Sequence, residues 1–334
     1  MSAPQDYDFQ AQPPPALPET EPQAPRPTKQ LWPIAIGVFV VGLVLLVLSI
    51  ARVLAIGFGV GGALCVLGVV LFAISFIRLP AVPNPDAPMS WFERVMGMFY
   101  EPSRVFRNLR SNPTWLAPFL VVWVLSAIYS TAFIQRITPQ VIVDHTVEKT
   151  TQTFNLPPDA TAKMRTDQME AYTNPVARAG TLLQTAVGIF IVTALIAALC
   201  FVGVLIFGGR MNYWQALAVL FHAAVPIVVI TKVLGLVILY LKSPDDLHPI
   251  LNQDTTLQDN LSILFTPANN PVLFVLASYI GLTSFYGLWL RAKGLQLGST
   301  KASSGAGWGV SLTLFFLSMV LLTVFTALFP QFIS

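Results

Sequence analysis

The sequence predicts an all-α, polytopic membrane protein of about seven transmembrane helices: an N-terminal two-helix hairpin followed by a five-helix bundle. Three observations predict it. Hydrophobic residues make up 54% of the 334 positions and charged residues 10%, where a soluble domain carries roughly 25% charge. The apolar residues gather into seven runs, each near the length that crosses a hydrocarbon core of about 30 Å. None of the seven runs contains Asp or Glu.

Residues 1–30 carry eight prolines and four acids. That composition reads as a disordered Pro-rich tail, and it lacks the basic start of a cleavable signal peptide. Residues 31–80 follow as a two-span hairpin, with apolar runs at 33–51 and 57–77 turning around Arg52. Gly57 and Gly61 stand in GxxxG spacing. Such a pair either lets two helix backbones approach closely or is ordinary glycine in a membrane helix.

Residues 81–114 are a basic, amphipathic segment. In "FYEPSRVFRNLRSNPTWLAPFL" (99–120), Arg104, Arg107 and Arg110 recur every third residue. Pro102 suits a first helical position. At about 100° per residue the three arginines share one face, beside a face of Val105, Phe106 and Leu109. Such a helix lies in the headgroup layer with its arginines toward anionic phosphates. Arg104, Arg107, Arg110 and Phe106 are therefore the candidate docking residues for lipid or partner. The alternative is a topology anchor.

The remaining spans are expected at 115–135, 180–207, 214–241, 271–290 and 309–329, within the membrane domain 115–334. Span 214–241 is long. Its 28 residues would reach about 42 Å against about 30 Å of core. Pro226 sits in its middle and removes a helix hydrogen bond. A kinked or broken helix is expected there, or an interfacial first half followed by a crossing. Two soluble loops interrupt the domain. Residues 136–179 read as short amphipathic helices, with a Pro-Asp helix entry in "LPPDATAKMRTDQMEAY". Residues 242–270 read as loop with little helix.

Lys and Arg set the orientation. With the N-terminus inside, inner segments hold 11 and outer segments 7, five of these in the long 136–179 loop. The expected topology is a cytoplasmic N-terminus and an outside C-terminus.

The chemistry is mostly excluded. The net charge of +3 does not point to nucleic acid. Cys65 and Cys200 lie inside apolar runs and match no metal or disulfide spacing. There is no HExxH, Gly-x-Ser-x-Gly or Walker loop, so neither an enzyme nor a cofactor is expected. "GSTKASSGAGWG" (298–309) follows no strand and reads as a flexible loop. A carboxylate at membrane depth, which proton relays need, is missing from the spans. His222 and Lys232 are ionisable residues inside span 214–241. Each is either structurally satisfied or functional. Tyr279, Thr283 and Tyr286 stand at i, i+4 and i+7 in span 271–290, with Ser278 and Ser284 beside them, and Gln184 of span 180–207 is a possible partner. They are helix–helix contacts or the wall of a solute path. With Pro226 these residues form the candidate intramembrane polar cluster.

"YEPSRVFRNLRSNPTWLAPFL" resembles the opening motif of bacterial Yip1-domain proteins, through Pro102, Ser103, Phe106, Pro113, Trp115 and Pro118. "GGRMNYWQALAVLFHAAVP" is similar to the family's second half, through Gly208, Gly209, Tyr213, Ala218, Val219 and Pro226. "LWLRAKGLQLGSTKA" resembles the basic loop before its last span. The resemblance covers residues 90–330. It implies a five-span membrane protein with a cytoplasmic N-terminus, not an enzyme, in a bacterial cytoplasmic membrane. Eukaryotic relatives act in ER–Golgi trafficking and associate with Rab GTPases and with one another. The hairpin and the 136–179 loop are additions to that pattern.

The expected function is a non-enzymatic membrane scaffold or adaptor, organising lipids or partner proteins through the basic helix. Its expected partners are anionic headgroups at the cytoplasmic face and a membrane-protein partner or a second copy. The alternative is a transporter or channel for a small or lipidic solute, using the break expected at 214–241.

Overall fold

The computed structural model describes residues 31–50, 58–77, 87–253 and 255–330. The Pro-rich tail, the turn around Arg52 and Gly57 of the GxxxG pair lie outside them. The described residues are helical throughout, and their β pairing is limited to two isolated bridges.

Helices α1 (Trp32–Ile50) and α2 (Phe58–Ser75) form the expected hairpin. The approach is close because glycines line it. A Cβ at Gly61 would meet the Leu46 backbone nitrogen at 2.7 Å, and one at Gly68 would meet the Phe39 Cβ at 2.7 Å. Gly61 is thus a packing glycine, as its spacing allowed.

Next come α3 (Trp91–Tyr100) and α4 (Pro102–Ser111). Ser90 caps α3 by accepting from the Glu93 amide, and Pro102 opens α4. Glu101, with non-helical backbone at φ −143° and ψ 56°, joins them as an elbow. The spans follow as α5 (Leu116–Ile137), α8 (Pro175–Ile206), α9 (Tyr213–Leu241) and α12 (Ser304–Leu328), with α6 (Pro139–Phe154) and α7 (Pro158–Thr173) between α5 and α8. Helices α6 and α7 fill the expected soluble loop. Five helices, α1, α5, α8, α9 and α12, are long and apolar enough to cross a membrane alone, and the apolar α2 is shorter. The chain is a multi-pass membrane protein.

The break lies in a different span from the one expected. Helix α9 runs unbroken from Tyr213 to Leu241 with Pro226 inside it. Pro226 lies buried in the bundle, where neighbouring helices tolerate it. The expected span 271–290 is instead two helices, α10 (Pro271–Ser278) and α11 (Leu282–Leu297), interrupted at Tyr279–Gly281. Helix α11 runs antiparallel to α9, with Gly287 against Ile227 and Gly294 against Val219. Six residues before Gly287, about 9 Å along the axis, the interruption therefore falls beside the Lys232 region of α9, well inside its apolar length.

Candidate functional site

Two constellations are built by this fold, one at each end of α9.

The first is the elbow. Val105, Phe106 and Leu109 are fully buried. Phe106 fills a slot over α11, and only glycine fits beneath it. A Cβ at Gly294 would meet Val219 Cγ1 at 2.5 Å and the Phe106 ring at 2.9 Å. A polar network then locks α3 to α4. The Arg94 Nε donates to Asn108 Oδ1 at 3.1 Å, and an Arg94 terminal nitrogen donates to the Thr114 hydroxyl. Asn108 also donates to the Ala87 carbonyl at 2.7 Å and accepts from the Met89 amide at 3.4 Å. Gln215, the third residue of α9, donates to the Arg110 carbonyl at 2.6 Å. Arg94 is 4% exposed and bonded here to neutral oxygens. Desolvation pushes its pKa below the usual value, opposed by the charge of Glu93.

What the elbow leaves outward is charged and aromatic. Arg104 and Arg107 are exposed. Arg104 sits 3.3 Å from Glu93 and 3.5 Å from Glu101, all three on the surface. Phe92, Met96, Phe99 and Tyr100 are exposed on one flank of α3, within an arc of about 100°. Two of the four expected docking residues are therefore placed differently. Phe106 belongs to the core, because the apolar face of α4 rests on protein and not on lipid. Arg110 is partly buried, with its Nε enclosed and without a hydrogen-bond partner.

The second constellation is at the far end of α9. The loop after α9 folds back along it. The Thr255 hydroxyl donates to the Thr231 carbonyl at 3.3 Å, and that of Thr256 to the Gly235 carbonyl at 2.6 Å. Lys232 Nζ lies 4.8 Å from the centroid of the Tyr129 ring, and the Tyr129 hydroxyl donates to the Asn252 carbonyl at 2.8 Å. Farther on, the loop stitches the α10–α11 interruption. The Leu261 amide donates to the Ile280 carbonyl at 3.0 Å and the Leu282 amide to the Asp259 carbonyl at 3.3 Å. The Asp259 carboxylate accepts from the Thr283 amide at 2.6 Å, at the positive end of α11. Non-helical backbone at this depth survives because protein satisfies it.

The predicted polar cluster is therefore dispersed. Thr283 touches the returning loop, and Lys232 lies over the Tyr129 ring, whose hydroxyl that loop holds. His222 lies deeper in the bundle, donating from Nδ1 to the Ala218 carbonyl at 2.8 Å. Tyr279 meets Phe315 of α12 edge-on and Tyr286 stacks on Trp289. The three do not form one helix face, because Tyr279 lies at the interruption. Sequence reasoning missed Arg94, Asn108 and Asp259. Asp259 supplies a carboxylate that no span contains, from a loop. A groove of about 500 Å³ along α5, lined by Trp123, Ala127, Ile128, Thr131 and Leu182, includes none of the predicted residues. Among the described residues no cluster of His, Cys, Asp and Glu could hold a metal.

The family model described as Yip1 domain matches residues 96–326. That range starts within α3 and ends near the close of α12, so it contains α4 and the second constellation and leaves out the hairpin and the Arg94 end of the elbow. No curated protein and no solved structure matches the chain.

Proposed function

The chain belongs to the Yip1 domain family, and from that footing we propose that it is a non-enzymatic membrane scaffold. Its α3–α4 elbow is the docking surface, and anionic lipid headgroups are what it docks. The observation that carries this reading is the mounting of the elbow. Phe106 and the Gln215–Arg110 bond fix α4 to the bundle and the Arg94–Asn108 bond fixes α3 to α4, so the exposed Arg104 and Arg107 stand on a fixed base together with the exposed aromatic flank of α3. Aromatics at the interface and arginines among phosphates suit a surface lying in the headgroup layer. The elbow faces the cytoplasm in this reading, where anionic lipid is concentrated.

The test is affinity purification of the intact protein in mild detergent, with co-purifying lipids and proteins identified by mass spectrometry. The wild type should retain anionic phospholipid in preference to zwitterionic. R104Q/R107Q should lose about 5-fold or more per arginine in that preference, from about 1 kcal/mol each. Arg110 is left intact because it is built into the fold. Unchanged lipid retention in the variant contradicts the proposal. A stoichiometric protein lost in the variant, without a lipid change, would make the elbow an adaptor for that protein instead.

A second reading rests on the α10–α11 interruption. Discontinuous helices with a polar loop at depth mark transport sites, and Asp259 and Thr283 meet at this one, with Lys232 over Tyr129 on the neighbouring stretch of α9. If the interruption lines a solute path, single cysteines at Lys232 and Thr283 react with a water-soluble thiol reagent, while one at the enclosed His222 does not. Equal protection at all three positions removes the transport reading.

A further inference from the structure

The far end of the molecule holds two histidines that no part of the docking reading uses. His145 of α6 and His248 of the returning loop meet edge-to-face, with ring centroids 5.1 Å apart. His248 closes its own turn. Its Nδ1 accepts from the Ile250 amide at 3.2 Å and from the Leu251 amide at 3.1 Å, so that nitrogen carries no proton. The His248 amide in turn donates to Asn252 Oδ1 at 2.8 Å. His145 Nε2 is enclosed and has no hydrogen-bond partner. The turn matters beyond itself, because Asn252 holds the Tyr129 hydroxyl and the next residues hold α9.

A proton on His248 Nδ1 converts an acceptor of two amides into a donor facing them. A second proton, on His145, places two cations in ring contact. The surroundings add to the repulsion more than they relieve it. On α6, Lys149 disfavours charge on both rings and Glu148 favours it on His145. Asp144 is engaged by Arg165 of α7 at 2.9 Å. Arg136 of α5 donates to the Lys242 carbonyl. Asp245 and Asp246 are exposed on the turn before His248. Burial makes Tyr172 of α7 resist ionisation, opposed by its hydrogen bond to Gln253.

We infer that the His145–His248 pair is an acid-operated latch: proton uptake there releases residues 247–253, and with them Thr255 and Thr256, from α5, α6 and α9 and uncovers the Tyr129–Lys232 pair. Both histidines titrate below the ordinary value, mainly through desolvation. The closed state thus binds fewer protons than the open one. The latch is fully closed above pH about 6.5 and loosens as pH falls through that value.

Hydrogen exchange of the full-length protein in lipid nanodiscs tests this, at about pH 7.5 and about pH 5.5, corrected for the intrinsic rate. Exchange in 247–257 should rise on acidification, by up to about tenfold per pH unit for each proton taken up, while the middle of α9 stays protected. H145Q/H248N should abolish that response. Asn at 248 can still accept from the amide two residues on, so the turn should stay closed at both values. If the double variant does not fold, H145Q alone serves, since it leaves the His248 bonds intact and should weaken the response. A wild type that exchanges equally at both values overturns the latch. So does a variant that responds like the wild type.

Discussion

Phe106→Ala is expected to free the elbow from the bundle. A buried Phe truncated to Ala costs about 3–5 kcal/mol, the lost transfer energy plus the cavity left behind. Phe106 is the largest fully buried side chain of α4, flanked by Val105 and Leu109 on a helix of only ten residues. A loss of that size is a large share of whatever holds so short an element down. Local release should therefore precede unfolding of the spans. Hydrogen exchange over residues 91–111 should rise sharply while α8 and α9 remain protected. Phe106→Leu, which keeps most of the volume, should cost less than half as much. If Phe106→Ala leaves exchange in 91–111 unchanged, the slot over Gly294 is not what holds α4.

Asn108→Ala is expected to cost about 2–3 kcal/mol, since it strips one hydrogen bond from a buried guanidinium and leaves the Ala87 and Met89 backbone groups short of partners. Arg94 would keep the Thr114 hydroxyl. The expected signature is non-additivity. R94M/N108L removes the cation together with its acceptor and should be less destabilising than the sum of the two single changes, by about 1 kcal/mol or more. Thermal unfolding of the four proteins in detergent gives the cycle. Strict additivity would mean that the Arg94–Asn108 bond carries no coupling and that α3 is held by its apolar contacts alone.

Both predictions concern residues whose role the sequence showed only in part. The spans were legible because hydropathy over about 20 residues is a local signal, and α1, α5, α8, α9 and α12 lie where it put them. The amphipathic face of α4 was legible for the same reason. What that face rests on was not. Periodicity separates Phe106 from Arg104 but cannot distinguish lipid from a glycine step on a helix nearly 190 residues downstream. Gly294 itself gave no signal, being one glycine in a basic stretch. Arg94 looks in the sequence like any other positive charge of the segment 81–114, and its burial depends on Asn108 and Thr114 arriving from other segments. The interruption was placed in α9 because Pro226 is a visible breaker. It falls instead at Tyr279–Gly281, where the returning loop offers Asp259 and Leu261 as replacement partners. A proline inside a bundle can be absorbed, whereas a non-helical step at depth needs an outside segment to satisfy it, and that segment is distant in sequence.

The elbow's fixed mount is the premise on which the docking proposal stands. It is tested most directly by a distance between spin labels at Glu101→Cys and Lys301→Cys, on a background with Cys65 and Cys200 replaced by Ala, in lipid nanodiscs. A fixed mount gives one narrow distance distribution that Phe106→Ala broadens. A broad distribution in the parent protein would contradict it, since the arginines would then ride on a mobile arm and not on a platform.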